Sequence, residues 1–113
     1  MGSAIGTVPF MAPEQLLDAR RVTENADVYS AGAILYRAAA GRPAFEGPAS
    51  LREKLVMEAP PVNTGRVDPL ATGLERVIAR AVRRKPQERY QEAAEMLREL
   101  EGISARMSRP SFG

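Results

Sequence analysis

The 113-residue chain contains no cysteine, no histidine and no tryptophan. Without cysteine there can be no disulfide, thiolate nucleophile or thiolate-bound metal, a composition that fits a cytoplasmic setting. Without histidine there is no imidazole base and no imidazole-bound metal. Aromatic residues make up only 5% of the chain, so a core must be built from Leu, Ile, Val, Ala and Met. Lysine is nearly absent as well: Lys54 and Lys85 are the two lysines among 16 basic residues, and arginine supplies the rest. No run approaches the roughly 18 apolar residues of a membrane-spanning helix. The first residues lack the basic-then-apolar order of a secretory leader.

What is present describes one small, soluble, helical unit. Net charge is +2, with 44% hydrophobic and 27% charged residues, ordinary values for a globular chain. Residues 1–12 read as a loop. Pro13 suits the first turn of a short helix, Pro13 to Asp18, with Glu14 near its positive end. Residues 19–26 are polar and irregular. From Val28 to Ala40 the only charge is Arg37. Such a segment, apolar all round, predicts a buried helix, with Gly41 placed for a left-handed cap. A short helix is expected over residues 49–59, with Leu51 and Leu55 one turn apart and Arg52, Glu53 and Lys54 outward. Asp68-Pro69 then reads as an N-cap followed by a first-turn proline. Leu74, Val77, Ile78, Ala81 and Val82 repeat at the spacing of one buried helical face. A last helix over residues 91–101 would bury Ala93, Met96, Leu97 and Leu100, with Gly102 closing it and 102–113 a flexible tail. No strand pattern is visible, so the expected fold class is all-α.

Three blocks carry a family resemblance. Gly6-Thr7-Val8-Pro9-Phe10-Met11-Ala12-Pro13-Glu14 is similar to the end of a protein kinase activation segment. Asp27-Val28-Tyr29-Ser30-Ala31-Gly32, with Ile34, Leu35, Tyr36 and Gly41 after it, resembles that family's central helix, and Pro43-Ala44-Phe45 the turn behind it. Arg84-Lys85-Pro86-Gln87-Glu88-Arg89-Tyr90 resembles the turn before its last helix. All three stand in the family's order and cover residues 6 to 101. The Gly6-Thr7 pair and Phe10 resemble the serine/threonine class, and Gln15 with the last helix resembles its bacterial members. The implied unit is the C-terminal half of the kinase helical lobe (1–12 the end of the activation loop, 13–101 the helical subdomain), without N-lobe or catalytic loop.

The resemblance implies roles for particular residues. Glu14, after Ala12 and Pro13, would pair with Arg89; the plainer alternative is a surface Glu at a helix start. Asp27 would hold the catalytic loop from below, or simply cap its helix, and Gly32 belongs to the same anchor. Thr7 would face the catalytic Asp, and Ser3 stands where activation-loop phosphosites lie. Ile34 and Ala38 match positions beneath the family's hydrophobic stacks and read as core residues in either case. Two departures stand out. Lys85 replaces an acidic or Asn residue, and Ala31 and Ala38 are smaller than usual. Arg76, Arg80, Arg83, Arg84 and Lys85 read as a solvated helix face, since no aromatics alternate with them to stack on bases.

Phosphoryl transfer requires a phosphate cover, a phosphate-pairing Lys, a base Asp and a metal-binding Asp. The chain has no G-x-G-x-x-G. Its aspartates, Asp18, Asp27 and Asp68, precede Ala, Val and Pro, so there is no Asp-Phe-Gly and no Arg-Asp catalytic loop. The expectation is a kinase fragment inactive alone, with no catalytic residue, metal or cofactor of its own, whose parent family uses ATP and magnesium. The competing expectation is a non-catalytic interaction module. Half a core leaves an apolar flank of the central helix open, which calls for a protein partner or the remaining kinase portion and not for nucleic acid or membrane.

Overall fold

The computed structural model describes residues 10–18, 20–21, 23–47 and 50–108, with side chains as far as 105. These residues form five α-helices and one short 3-10 turn: α1 (Pro13–Leu17), α2 (Glu24–Ala40), α3 (Ser50–Val56), α4 (Pro69–Ala81), the turn Pro86–Glu88, and α5 (Ala93–Ser108). No strand occurs among the described residues, in keeping with the all-α expectation.

α2 starts earlier than the apolar run suggests. Thr23, not Asp27, is the N-cap: its Oγ1 accepts from the Ala26 N–H at 3.2 Å. Once Thr23 supplies that oxygen, residues 24–26 join the helix, and Asp27 is left exposed in the first turn, where a carboxylate suits the helix dipole. At the other end Gly41 adopts φ 80 and donates to the Arg37 carbonyl at 2.8 Å, the left-handed closure that a residue with a Cβ resists.

α2 is the central element but is not buried all round. One side, with Tyr29, Ala33 and Tyr36, packs with Ala12, Val62, Ile78 and Val82. A second side places Val28 with Val77, Ala81, Tyr90, Met96 and Ile103, which brings in α5. The remaining flank is open. Ile34 is 54% exposed and Ala38 is exposed too, which corrects their expected place in the core. They project from the helix side that neither α4 nor α5 covers.

The α2–α4 crossing depends on Gly32, which is buried. A Cβ placed there would stand 2.6 Å from the Ala81 Cβ and 3.0 Å from Val82 Cγ1, so only hydrogen leaves the helices room to meet. α4 is capped by Asp68, whose Oδ1 accepts from the Ala71 N–H at 3.0 Å, with Pro69 in its first turn. Its face of Val77, Ile78, Ala81 and Val82 is buried, as the spacing predicts.

Two other elements differ from expectation. α5 does not close at Gly102: it continues to Ser108, so the expected boundary after residue 101 falls inside a helix. The reason lies one residue on, where buried Ile103 packs over Gly73; a Cβ on Gly73 would come within 3.1 Å of it. Continuing the helix is what brings this apolar side chain to the core. Leu97 and Ala93, expected inward, are exposed, and Met96 carries the contact. In α3 the expected orientation fails at two positions: Leu51 is 48% exposed and Lys54 only 2%, while Arg52 is exposed as expected.

Candidate functional site

The buried charged residues among those described are Glu14, Lys54 and Arg89, and they gather near the entry to α1. The chain reaches this point through Phe10 and Met11 and turns at Ala12, which is fully buried. Ala12 and Gln15 brace the turn from both directions. Gln15 N–H donates to the Ala12 carbonyl at 3.0 Å, and Ala12 N–H donates to the Gln15 Oε1 at 3.1 Å. Pro13, in the first turn, has no N–H to leave unsatisfied.

Glu14 then points inward to Arg89, 75 residues later in the chain. Arg89 NH1 donates to Glu14 Oε2 at 2.8 Å and NH2 to Oε1 at 2.9 Å, a two-pronged bond matching guanidinium and carboxylate geometry. The other Arg89 donors reach backbone carbonyls. Nε donates to Arg83 at 2.7 Å, NH1 to Asn25 at 3.2 Å, and NH2 to Arg84 at 3.0 Å. All five N–H groups of a guanidinium are thereby satisfied. Arg89 thus joins α1, the first turn of α2 and the segment leaving α4. The 3-10 turn Pro86–Glu88 sets its direction, since the Arg89 N–H donates to the Pro86 carbonyl at 3.2 Å.

Burial alone would raise the Glu14 carboxyl's pKa, but the Arg89 hydrogen bonds and charge outweigh it and hold the group below its ordinary 4.5. Lys54 lies in the opposite situation. Burial pushes its ammonium down to about 8, against 10.5 in water. Its Nζ donates to the Met11 carbonyl at 2.9 Å. The Tyr29 ring lies between these groups in the sense of distance: its centroid is 4.8 Å from Arg89 Cζ and 5.7 Å from Lys54 Nζ. Two cations near the negative face of one buried ring add attraction to each. Burial also drives the Tyr29 phenol far above its ordinary value, so it stays neutral.

These shifts predict a pH profile with two limbs. Glu14 has a lowered native pKa, so its contribution is full above the ordinary value of 4.5 and is lost as pH falls through the native one. Lys54 acts in reverse. Between about 8 and 10.5 the unfolded chain binds the proton that the native chain has released, so stability rises with pH across that window. The raised tyrosine values bring an opposing loss as pH passes 10, the ordinary phenol value, so the clean comparison is at pH 7.5 and 9.5. Urea unfolding midpoints are expected to be higher at pH 9.5 than at 7.5, and to fall below pH 4.5. A midpoint that is flat or falls between 7.5 and 9.5 contradicts the burial of a charged Lys54.

Of the residues that the sequence singled out, the structure brings together Ala12, Pro13, Glu14 and Arg89. Gly32 lies apart at the α2–α4 crossing, and Asp27 stands exposed one turn into α2. Thr7 and Ser3 lie outside the described residues. The basic run around α4 is distributed among partners: Arg83 NH2 pairs with Glu88 at 2.7 Å, and Arg80 Cζ lies 4.2 Å from the centre of the Tyr90 ring. Sequence reasoning missed Lys54. The one available signal was its identity, one of two lysines in a chain whose other cationic side chains are all arginine.

A model of the protein kinase domain matches residues 1–100. The chain belongs to the protein kinase domain family. The serine/threonine-protein kinase PknB of Mycobacterium tuberculosis is 38% identical over 100 residues, covering 87% of this chain and 16% of that protein. Pkn1 of Myxococcus xanthus is 36% identical over 118 residues, covering 96% of this chain and 17% of its own length. A probable serine/threonine-protein kinase of Corynebacterium efficiens is 35% identical, with 90% and 16% covered. The chain is therefore a kinase-domain fragment homologous to serine/threonine kinases, and it spans about a sixth of the length of the curated relatives it matches. Magnesium and ATP belong to the family's chemistry. Among the described residues no group of His, Cys, Asp or Glu could hold a metal ion, so these residues do not themselves fit that site. No helix among them is long and apolar enough to cross a membrane.

Proposed function

We propose that this chain is the substrate-facing part of a bacterial, cytoplasmic serine/threonine kinase lobe, and that it transfers no phosphate by itself. The supporting observation is the Glu14–Arg89 bond, which ties the segment containing Ala12-Pro13-Glu14 to the helical body. In this reading that segment is the end of an activation loop, Thr7 serves the acceptor hydroxyl and Ser3 is a phosphosite. The parent reaction is transfer of the ATP γ-phosphate to a protein Ser or Thr. The residues that would hold the nucleotide, pair with its phosphates and take the acceptor's proton are not in this sequence. What the chain supplies is a rigid floor for the acceptor strand. Purified chain incubated with radiolabelled ATP, magnesium and a general Ser/Thr protein substrate is expected to leave the substrate unlabelled. Metal-dependent labelling with no other protein present would falsify the reading.

A second reading, a non-catalytic interaction module, is favoured by one observation. Phe10, Ile34, Arg37, Ala38 and Gly41 line an open depression on the uncovered flank of α2. In the first reading the remaining kinase portion covers this flank; in the second a separate protein does. Nucleic acid fits neither, since Arg80 and Arg83 are engaged within the chain. Light scattering after size exclusion, with and without the remaining portion of a kinase domain, separates the two. Tight binding of that portion supports the first reading, and a monomer indifferent to it counts for the second.

A further inference from the structure

Lys54 is a buried cation on a helix of only seven residues, and the anchoring described above makes no use of it. A buried lysine carries a desolvation penalty that Met, of similar length, would not. Packing alone therefore does not account for this residue. Its contact gives a more specific account: Nζ donates to the backbone carbonyl of Met11, across 43 residues.

We propose that Lys54 is a positioning residue that tethers α3 to the Met11 carbonyl and so fixes the path of the backbone into α1. Met11 and Glu14 flank the turn at Ala12, and each is held by a cation from a different part of the chain. Arg89 comes from the segment before α5 and Lys54 from α3. The Tyr29 ring stands next to both cations, at 4.8 and 5.7 Å, so the two anchors share a support from α2. Leu51 and Val56 of α3, and Met57 just after it, are apolar and exposed. A displacement of α3 is thus transmitted to Met11 through this charged hydrogen bond. That the tethered strand presents an acceptor peptide rests on the function proposed above; the tether itself does not.

A purely structural lysine and a positioning lysine predict different results for Lys54→Met, which keeps length and apolar contact and removes the ammonium. With the tether, hydrogen exchange over residues 10–18 is expected to accelerate about tenfold, as for one lost charged hydrogen bond. Exchange in α4 and α5 stays unchanged, and the urea midpoint of the variant is equal to or higher than that of the natural chain. Lys54→Gln, which keeps a donor of shorter reach, is expected to fall between the two. Unchanged exchange over 10–18 in Lys54→Met overturns the proposal. So does acceleration spread evenly through α4 and α5, or failure of both variants to fold, because either result makes Lys54 a stability residue. No step of this test reads phosphate transfer, so a labelling result that sank the proposed function would leave the tether standing, and the reverse holds too.

Discussion

Arg89→Met is expected to destabilise the chain by about 3–5 kcal/mol, the range found when one partner of a buried ion pair is removed. The substitution leaves the Glu14 carboxylate, 8% exposed, without its two donors. It also leaves the Asn25, Arg83 and Arg84 carbonyls without those that Arg89 supplied. Arg89→Lys is expected to recover less than half of the loss. An ammonium carries three donors on a point charge and cannot reproduce a planar fork reaching five acceptors. Glu14→Gln is expected to be milder, since its amide oxygen still accepts from Arg89. Urea unfolding followed by circular dichroism reads all three. Equal midpoints for Arg89→Met and the natural chain would show that the fork holds nothing together.

Gly32→Val carries the second large effect, about 3 kcal/mol, at the upper end of the usual cost of overpacking. Ordinarily valine in a helix is better than glycine by a few tenths of a kcal/mol, because it restricts the unfolded chain. Here packing dominates. The atom 2.6 Å from the added Cβ is the Cβ of Ala81, which has no rotamer to move into, and Val82 Cγ1 is at 3.0 Å. The helices must separate, and the contacts on both sides of α2 loosen with them. Gly32→Ala isolates the clash, and pairing it with Ala81→Gly removes the opposing methyl. The pair of changes is expected to be more stable than Gly32→Ala alone. If the second substitution only adds to the loss, the close crossing at Gly32 is not what limits this interface.

The parts of this structure legible in the sequence are those set by local spacing or by one backbone requirement. α4 is the clearest: Asp68-Pro69 marks its start, and five apolar positions in the helical period mark its inner face, four of them buried and Leu74 half-buried. Gly41 shows the same for a helix end, because left-handed φ selects glycine. Where two local signals competed, spacing alone did not decide between them. Asp27 and Thr23 are both able to cap a helix, and only the geometry shows that Thr23 takes the role. Gly102 looks like a terminator until the tertiary contact of Ile103 with Gly73 is known. The site divides in the same way. Glu14 and Arg89 came together in the sequence only by resemblance, for nothing in either residue's neighbourhood specifies a partner 75 positions away. Lys54 was assigned to solvent because lysines usually are, and its burial follows from a carbonyl whose position no periodicity encodes.

The central claim is that the Glu14–Arg89 bond holds the Ala12-Pro13-Glu14 segment against the helical body. A double-mutant cycle on these two residues measures that coupling directly, with Glu14→Ala, Arg89→Met and the pair compared by urea unfolding, since each of these changes removes the bond entirely. The exposed Arg83–Glu88 pair serves as an internal reference. Its N–O distance of 2.7 Å is as short, yet solvent surrounds it. A coupling of about 2–3 kcal/mol is expected for Glu14–Arg89, against less than about 1 kcal/mol for the surface pair. Equal and small couplings for the two pairs would contradict the account, because the segment would then be held by something other than this bond.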